Sequence, residues 1–247
     1  MRIGIGAGPD IRKVLSSANG AGPGVQVVCF TTEEYAGEIR DTALMVSDEP
    51  GASMVRALME GEIDAAVRGS LPSSGTLRAL KDATGVDHLL RIAILSTSEG
   101  KKFLLAPVGV DEGWTVAEKV ELAERGRGLA ARFGLPGEVA VLSGGRLGDV
   151  GRHPTVDRTL ADAELVARLS GARHREILIE DAIRTAGMIL APDGISGNLI
   201  FRTLVHLGGG EAHGAPVVNI DRIFVDSSRA SPDYSNALIT ASKLVKR

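Results

Sequence analysis

The sequence has a single cysteine among its 247 residues, and this scarcity excludes an internal disulfide framework and any multi-cysteine metal site. Cys29 lies in the apolar run VQVVCF, where it reads as a small hydrophobe. No apolar run approaches the about 18 residues a membrane span needs, and the opening MRIGIGAGPD lacks the long apolar core of a secretory signal. The chain is therefore expected in the cytoplasm, with no membrane partner. Neither sign of charge is in marked excess, since 28 Lys and Arg stand against 31 Asp and Glu. The charges are intermingled, so there is no basic footprint and nucleic acid is not an expected partner. His88, His153, His174, His206 and His213 fall in separate segments without HExxH spacing, and no metal site is expected. The sequence also has no GxSxG elbow, which leaves a serine hydrolase unsupported.

What is present is an alternation of short apolar runs with segments of helical period. RIGIGA, VQVVCF, DAAVRG, LLRIAILST, KFLLAPVGV, EVAVLSG, EILIEDA, GMILAP and PVVNIDRIFV read as strands. IRKVLSSA, ASMVRALMEG, TLRALKDAT, VAEKVELAERGRGLAARFG, LADAELVARLSG, LIFRTLVHLGG and SNALITASKLVKR read as helices. This pattern predicts an α/β architecture with parallel sheets covered by helices. The strands are too many for one sheet, and the long helix from Thr115 to Phe133 is a natural bridge. We therefore expect two α/β lobes with a cleft between them: 1–114 with 218–247 as a discontinuous first lobe, and 115–217 as the second.

Ligands of open α/β sheets sit beyond the carboxyl ends of strands, which directs attention to three turns. In MILAPDGISGNLIFRTLVHLGGG, Pro192 and Asp193 follow a strand, and Ser196 is expected to cap a helix beginning near Gly197. The unpaired amides there would welcome an anion, or the segment is simply a well-made cap. VLSGGRLGDVGR offers Ser143, four glycines including Gly144 and Gly145, and Arg146 and Arg152. That loop suits phosphate, although it lacks the GxxxxGK[ST] pattern, and it reads equally as a mobile surface loop. FVDSSRASPD brings Asp226, Ser227, Ser228 and Arg229 to the end of a strand, where a guanidinium fork suits bidentate phosphate binding. The alternative there is a capped turn with a solvated arginine.

The segments AVLSGG, DAEL, MILAPDGISGNLIFRTLVHLGG and VDSSRA resemble, in order and spacing, segments of the phosphate acetyltransferase and butyryltransferase family. The resemblance is clearest from Glu138 to Ala230. Within that superfamily the chain is most similar to the methanogenesis marker protein 4 group, whose members are described as methyltransferase-related. The resemblance implies two α/β/α lobes like those of isocitrate and isopropylmalate dehydrogenases, a homodimer, and acyl transfer between coenzyme A and phosphate without a metal or other required cofactor. It implies that Ser228 stabilises the transition state and Arg229 binds phosphate. Arg78 in GTLRAL and Arg91 in LLRIAIL match further cleft arginines, and Ser143, Gly144, Gly145, Asp193, Gly197 and Asn198 fall in matching substrate-binding segments.

Two departures bear on catalysis. The family carboxylate that deprotonates the coenzyme A thiol falls at Ser235, which cannot do so; Asp233, two residues earlier, is the carboxylate that can stand in. Ala230 replaces the family glycine. A thiol near its free pKa of about 8.5 is only a few per cent ionised at neutral pH, so losing the base costs on the order of 10²-fold or more. Three readings stay open: an acyl- or phosphoryl-handling transferase; a non-catalytic relative that binds a phosphorylated or coenzyme A-type ligand and assists a methyl-transfer complex; and a methyltransferase using S-adenosylmethionine. The last rests on RIGIGAGPD with Glu33 or Glu34 after the next strand, a weak nucleotide-loop pattern.

Overall fold

The computed structural model describes residues 1–229 and 231–246, so Ala230, where the family glycine stands, lies outside the described residues. The chain divides into two units, Met1–Leu89 with Ala212–Arg247, and Leu90–Glu211.

In the first unit the elements run β1 (Arg2–Gly6), α1 (Ile11–Asn19), β2 (Gln26–Thr31), α2 (Glu33–Ala36), β3 (Ala43–Val46), α3 (Pro50–Glu60), β4 (Ala65–Val67) and α4 (Ser73–Thr84). The second unit holds β5 (Ala93–Ser96), β6 (Lys102–Ala106), α5 (Val116–Arg132), β7 (Val139–Val141), α6 (Pro154–Ser170), β8 (Arg173–His174), α7 (Ile179–Thr185), β9 (Met188–Leu190), α8 (Gly194–His206) and the short edge strand β10 (Glu211–Ala212). The chain then returns to the first unit with β11 (Ala215–Pro216), β12 (Phe224–Asp226) and α9 (Ser235–Val245).

The first sheet has the order β11-β12-β4-β1-β2-β3. It is parallel throughout except for β11, which runs antiparallel to β12. Ile3 and Ile5 of β1 and all three residues of β4 are buried, the near-continuous apolar composition of strands covered on both faces. Met54, Val55 and Leu58 of α3 and Leu80 of α4 bury against Val28, Phe30, Ala66 and Phe224. A second layer is made by α9, which lies on β1, β4 and β12 and packs against α1. The order of the strands reverses between β1 and β4, so this is the switch point at which loops from the two sides splay apart.

In the second unit the order is β10-β5-β6-β9-β7-β8. β5 and β6 form an antiparallel hairpin, and β6, β9, β7 and β8 run parallel. Gly126 of α5 meets this sheet at Met188, with room for no side chain, since an added Cβ would stand 1.9 Å from the Met188 sulfur.

The boundary between the units differs from the sequence expectation. β5 and β6 are assigned to the first lobe by their place in the chain, but β6 hydrogen-bonds to β9 and β5 to β6, so both belong to the second unit. EILIEDA also differs, because it supplies helix α7 and not a strand. Its one inward residue is Ala182, while Ile177 is half exposed, so the apparent alternation of apolar residues has no sheet behind it.

Candidate functional site

At the carboxyl edge of the first sheet, three turns are tied into one structure. The register that pairs Phe224 with Ala66 and Val225 with Val67 brings the next residues, Asp226 and Arg68, side by side. Arg68 is 4% exposed. Its Nε donates to the Asp226 carboxylate, its Nη2 to the Ser227 carbonyl, and its Nη1 to the Leu71 carbonyl at 2.6 Å. A buried guanidinium is tolerable only when its charge and donors are all met, and here two turns meet them together. Ser227 adds two further ties: its amide donates to Asp226 Oδ1 at 2.8 Å and its hydroxyl to the Gly69 carbonyl at 3.0 Å. Gly69 has φ +61, and a Cβ there would stand 2.0 Å from the Gly6 carbonyl oxygen, so only glycine fits. From the β1 side, the Gly8 amide donates to Ser70 Oγ at 2.8 Å. The fixed residue Ser227 then leads into Ser228, which is half-buried, and Arg229, which is exposed. Arg229 makes no ion pair with another described residue.

The sequence places Asp226 in FVDSSRASPD and Arg68 at the head of RGSLPSSG, each just after a strand, but does not show that the two side chains pair. The available signal was that VRGS and VDSS place opposite charges at the same offset after two strands. Asp233, proposed as a base, is exposed and its Oδ1 accepts from the Ser235 amide at 2.8 Å, so its carboxylate is occupied at the start of α9. Ser235 is the half-buried first residue of that helix. Arg78 lies on the exposed side of α4, away from buried Thr76 and Leu80.

Arg91 belongs to the second unit and has a different role from that expected. Its Nε donates to Glu112 Oε1 at 2.5 Å and its Nη2 approaches Asp111 at 3.4 Å. Glu112 also accepts from the Gly109 amide at 3.2 Å. Burial holds the Glu112 carboxyl above the usual carboxylate range, against the opposing pull of Arg91. The guanidinium is thus committed to a buried carboxylate and to shaping residues 107–113.

The same loop explains DGISGN. Helix α8 begins at Gly194, not near Gly197, and its cap is Asp193, not Ser196: Asp193 Oδ1 accepts from the Ser196 amide at 2.8 Å and Oδ2 from the Ser196 hydroxyl at 3.2 Å. A carboxylate therefore already sits where an anion was expected. Added Cβ atoms on Gly194 and Gly197 would lie 1.6 Å from the Gly109 carbonyl oxygen and 1.9 Å from that of Pro107, and Asn198 Nδ2 donates to the Val108 carbonyl at 3.0 Å. The spacing of these residues lets one helix turn rest on the backbone of another loop.

Ser143 is 1% exposed. Its hydroxyl is 2.9 Å from the Gly145 carbonyl and 2.8 Å from His174 Nε2, and His174 Nδ1 is 2.7 Å from Glu164 Oε1. This chain has the order of a nucleophilic triad, but the hydroxyl is enclosed, and its effect is to fasten the glycine loop to β8 and α6. The Gly144 amide is taken by Thr159 Oγ1 at 2.9 Å, and Arg152 pairs with Asp149 at 2.6 Å. An added Cβ on Gly145 would stand 2.7 Å from a Val156 methyl. Buried Cys29 has its thiol pushed up to about 11 by burial and is unreactive. Among the described residues no cluster of His, Cys, Asp and Glu could hold a metal ion, and no helix is long and apolar enough to cross a membrane.

No protein-family model matches the chain. A protein of Methanosarcina barkeri named as methyltransferase mtx subunit X is 47% identical over 203 residues, covering 80% of this chain and 75% of its own. An uncharacterized methyltransferase of Methanopyrus kandleri is 40% identical and is matched over 99% of both chains. Among solved structures, a branched-chain phosphotransacylase from Enterococcus faecalis superposes with a TM-score of 0.78 at 16% identity, over 99% of each chain. An isocitrate dehydrogenase from Methylococcus capsulatus does so with a TM-score of 0.56 at 13% identity, over 99% of this chain and 84% of that one. The architecture is accordingly that of the phosphotransacetylases and of the isocitrate dehydrogenase type. The chain belongs to the family of proteins named methyltransferase mtx subunit X.

Proposed function

We propose that the chain binds a phosphorylated or coenzyme A-type ligand through Ser228 and Arg229, at the carboxyl edge of the first sheet, and serves as the ligand-binding subunit of a methyl-transfer system. The observation that carries this reading is the Arg68–Asp226 staple. A buried ion pair with three further hydrogen bonds fixes the turn up to Ser227, and the next two residues hold a hydroxyl and an exposed guanidinium, a pairing suited to a phosphoryl group. The subunit role follows from the name carried by the relatives.

Full phosphotransacetylase chemistry is not supported. Ser235 stands at the base position, and the carboxylate of Asp233 accepts from the Ser235 amide. Without a base, thiol-dependent acyl transfer falls by about 10²-fold or more. Binding of S-adenosylmethionine after β1 draws no support from Gly4 and Gly6, which lie within the strand and serve packing. A Cβ on Gly4 would strike Ile63 at 2.6 Å, and one on Gly6 would strike the Arg68 carbonyl oxygen at 2.4 Å.

Calorimetric titration with inorganic phosphate and with coenzyme A tests the proposal. Arg229→Ala is expected to weaken phosphate binding tenfold or more, the scale of one charge-assisted contact, while the thermal transition stays in place. Equal affinity in wild type and variant overturns the assignment. A strong heat with S-adenosylmethionine would favour the methyltransferase reading instead.

A further inference from the structure

Tyr234 carries a hydroxyl that the fold encloses and leaves without a partner. The residue is 1% exposed, and its Oη makes no hydrogen bond with any described residue. Buried polar atoms are nearly always satisfied, and phenylalanine would fill the same space without that cost. The position of the ring is not accidental, because its backbone is held from both sides. The Tyr234 amide donates to Oγ of buried Ser17 on α1 at 2.8 Å, and its carbonyl accepts the first turn of α9 from the Leu238 amide at 3.0 Å.

Two of the charges acting on this hydroxyl, Arg68 and Arg229, belong to the proposed binding site. Asp10, Arg68 and Arg229 all lie within electrostatic reach of it. Asp226 neutralises Arg68. Asp10 approaches Lys13 at 3.7 Å and makes no side-chain bond to the start of α1, so the charge left without a neutralising partner is that of Arg229. The first turn of α1 points the same way: the Ile11 and Arg12 amides donate to no described residue, and a helix start of this kind favours a negative guest.

We propose that Tyr234 is a ligand-binding residue of this site, its phenolic O–H donating to an oxygen of the phosphorylated guest held by Arg229. The inference rests on the proposed function above and adds to it a specificity element. Burial first, then Asp10, pushes the phenol up to about 12, so it stays protonated at working pH and acts as a donor. It therefore selects a guest with an acceptor oxygen and does not replace the missing base.

The test compares wild type, Tyr234→Phe and Arg229→Ala, all full length, by titration with inorganic phosphate well below the unfolding transition and by thermal unfolding without ligand. Tyr234→Phe is expected to raise the phosphate Kd about tenfold, the effect of one hydrogen bond to a charged acceptor. Its unliganded Tm should be unchanged or higher, because an unsatisfied group has been removed without change of shape. A hydroxyl acting only as a structural strut gives the reverse, a lower Tm with Kd unmoved. An unchanged Kd in Tyr234→Phe overturns the role of the hydroxyl when Arg229→Ala still weakens binding. An unchanged Kd in both variants overturns the site itself.

Discussion

Replacing Arg91 by methionine separates a ligand arginine from a structural one. The side chains of Arg91 and Glu112 are 12% and 1% exposed, so the substitution strands a carboxylate in the interior. Removing one partner of such a pair costs about 3–5 kcal/mol, because the remaining charge has neither water nor a counterion. For a unit of this size each kcal/mol moves the transition by about 4 °C, and Tm should fall by roughly 12–20 °C. The loss should depend on pH with a definite sign. Burial already raises the Glu112 carboxyl in the native chain, and without Arg91 it rises further. A group with a raised native pKa contributes full stability below its unfolded value and loses that contribution as pH rises through its native value. The deficit of Arg91→Met measured by circular dichroism should therefore be smaller at pH 5 than at pH 8. The double variant Arg91→Met/Glu112→Gln should recover more than half of it, since a neutral amide still accepts from the Gly109 amide. A pH-independent deficit under about 1 kcal/mol, with phosphate affinity lost instead, would refute the structural assignment and return Arg91 to the ligand.

Other outcomes follow from particular contacts. Gly194→Ala places a methyl 1.6 Å from the Gly109 carbonyl oxygen, and forcing α8 off its loop should destabilise by about 3 kcal/mol. Gly128→Ala, on the exposed side of α5 with nothing within 4 Å, should stabilise by about 0.5–1 kcal/mol; chemical denaturation of the two variants checks the opposite signs. Asp233→Ala should lose the hydrogen bond from the Ser235 amide, worth about 1 kcal/mol, and leave phosphate affinity as it was. A tenfold affinity loss there would make Asp233 part of the site.

The α/β class was legible because buried parallel strands are written as short apolar runs, and GMILAP and DAAVRG announce β9 and β4 directly. Sheet membership was not, since KFLLAPVGV hydrogen-bonds across to residues more than 80 positions later, LLRIAILST follows it through the β5–β6 hairpin, and no local pattern encodes that partner. DGISGN was read for its capacity to bind an anion, yet its glycines answer to the carbonyls of Gly109 and Pro107, a close approach that composition cannot reveal. VDSSRA was legible as a turn with a guanidinium. Its anchor was not, because Arg68 and Asp226 are 158 residues apart and meet only through strand register.

The discontinuity of the first unit has a consequence for biosynthesis. Residues 1–89 supply β1 to β4, but β12, which covers the open side of β4, emerges only after residue 211. On the ribosome the opening segment must wait with a bare strand edge while the uninterrupted stretch from Leu90 to Glu211 completes its own sheet. Assembly in the nascent chain should thus run from the middle outward, and the Arg68–Asp226 clasp closes last.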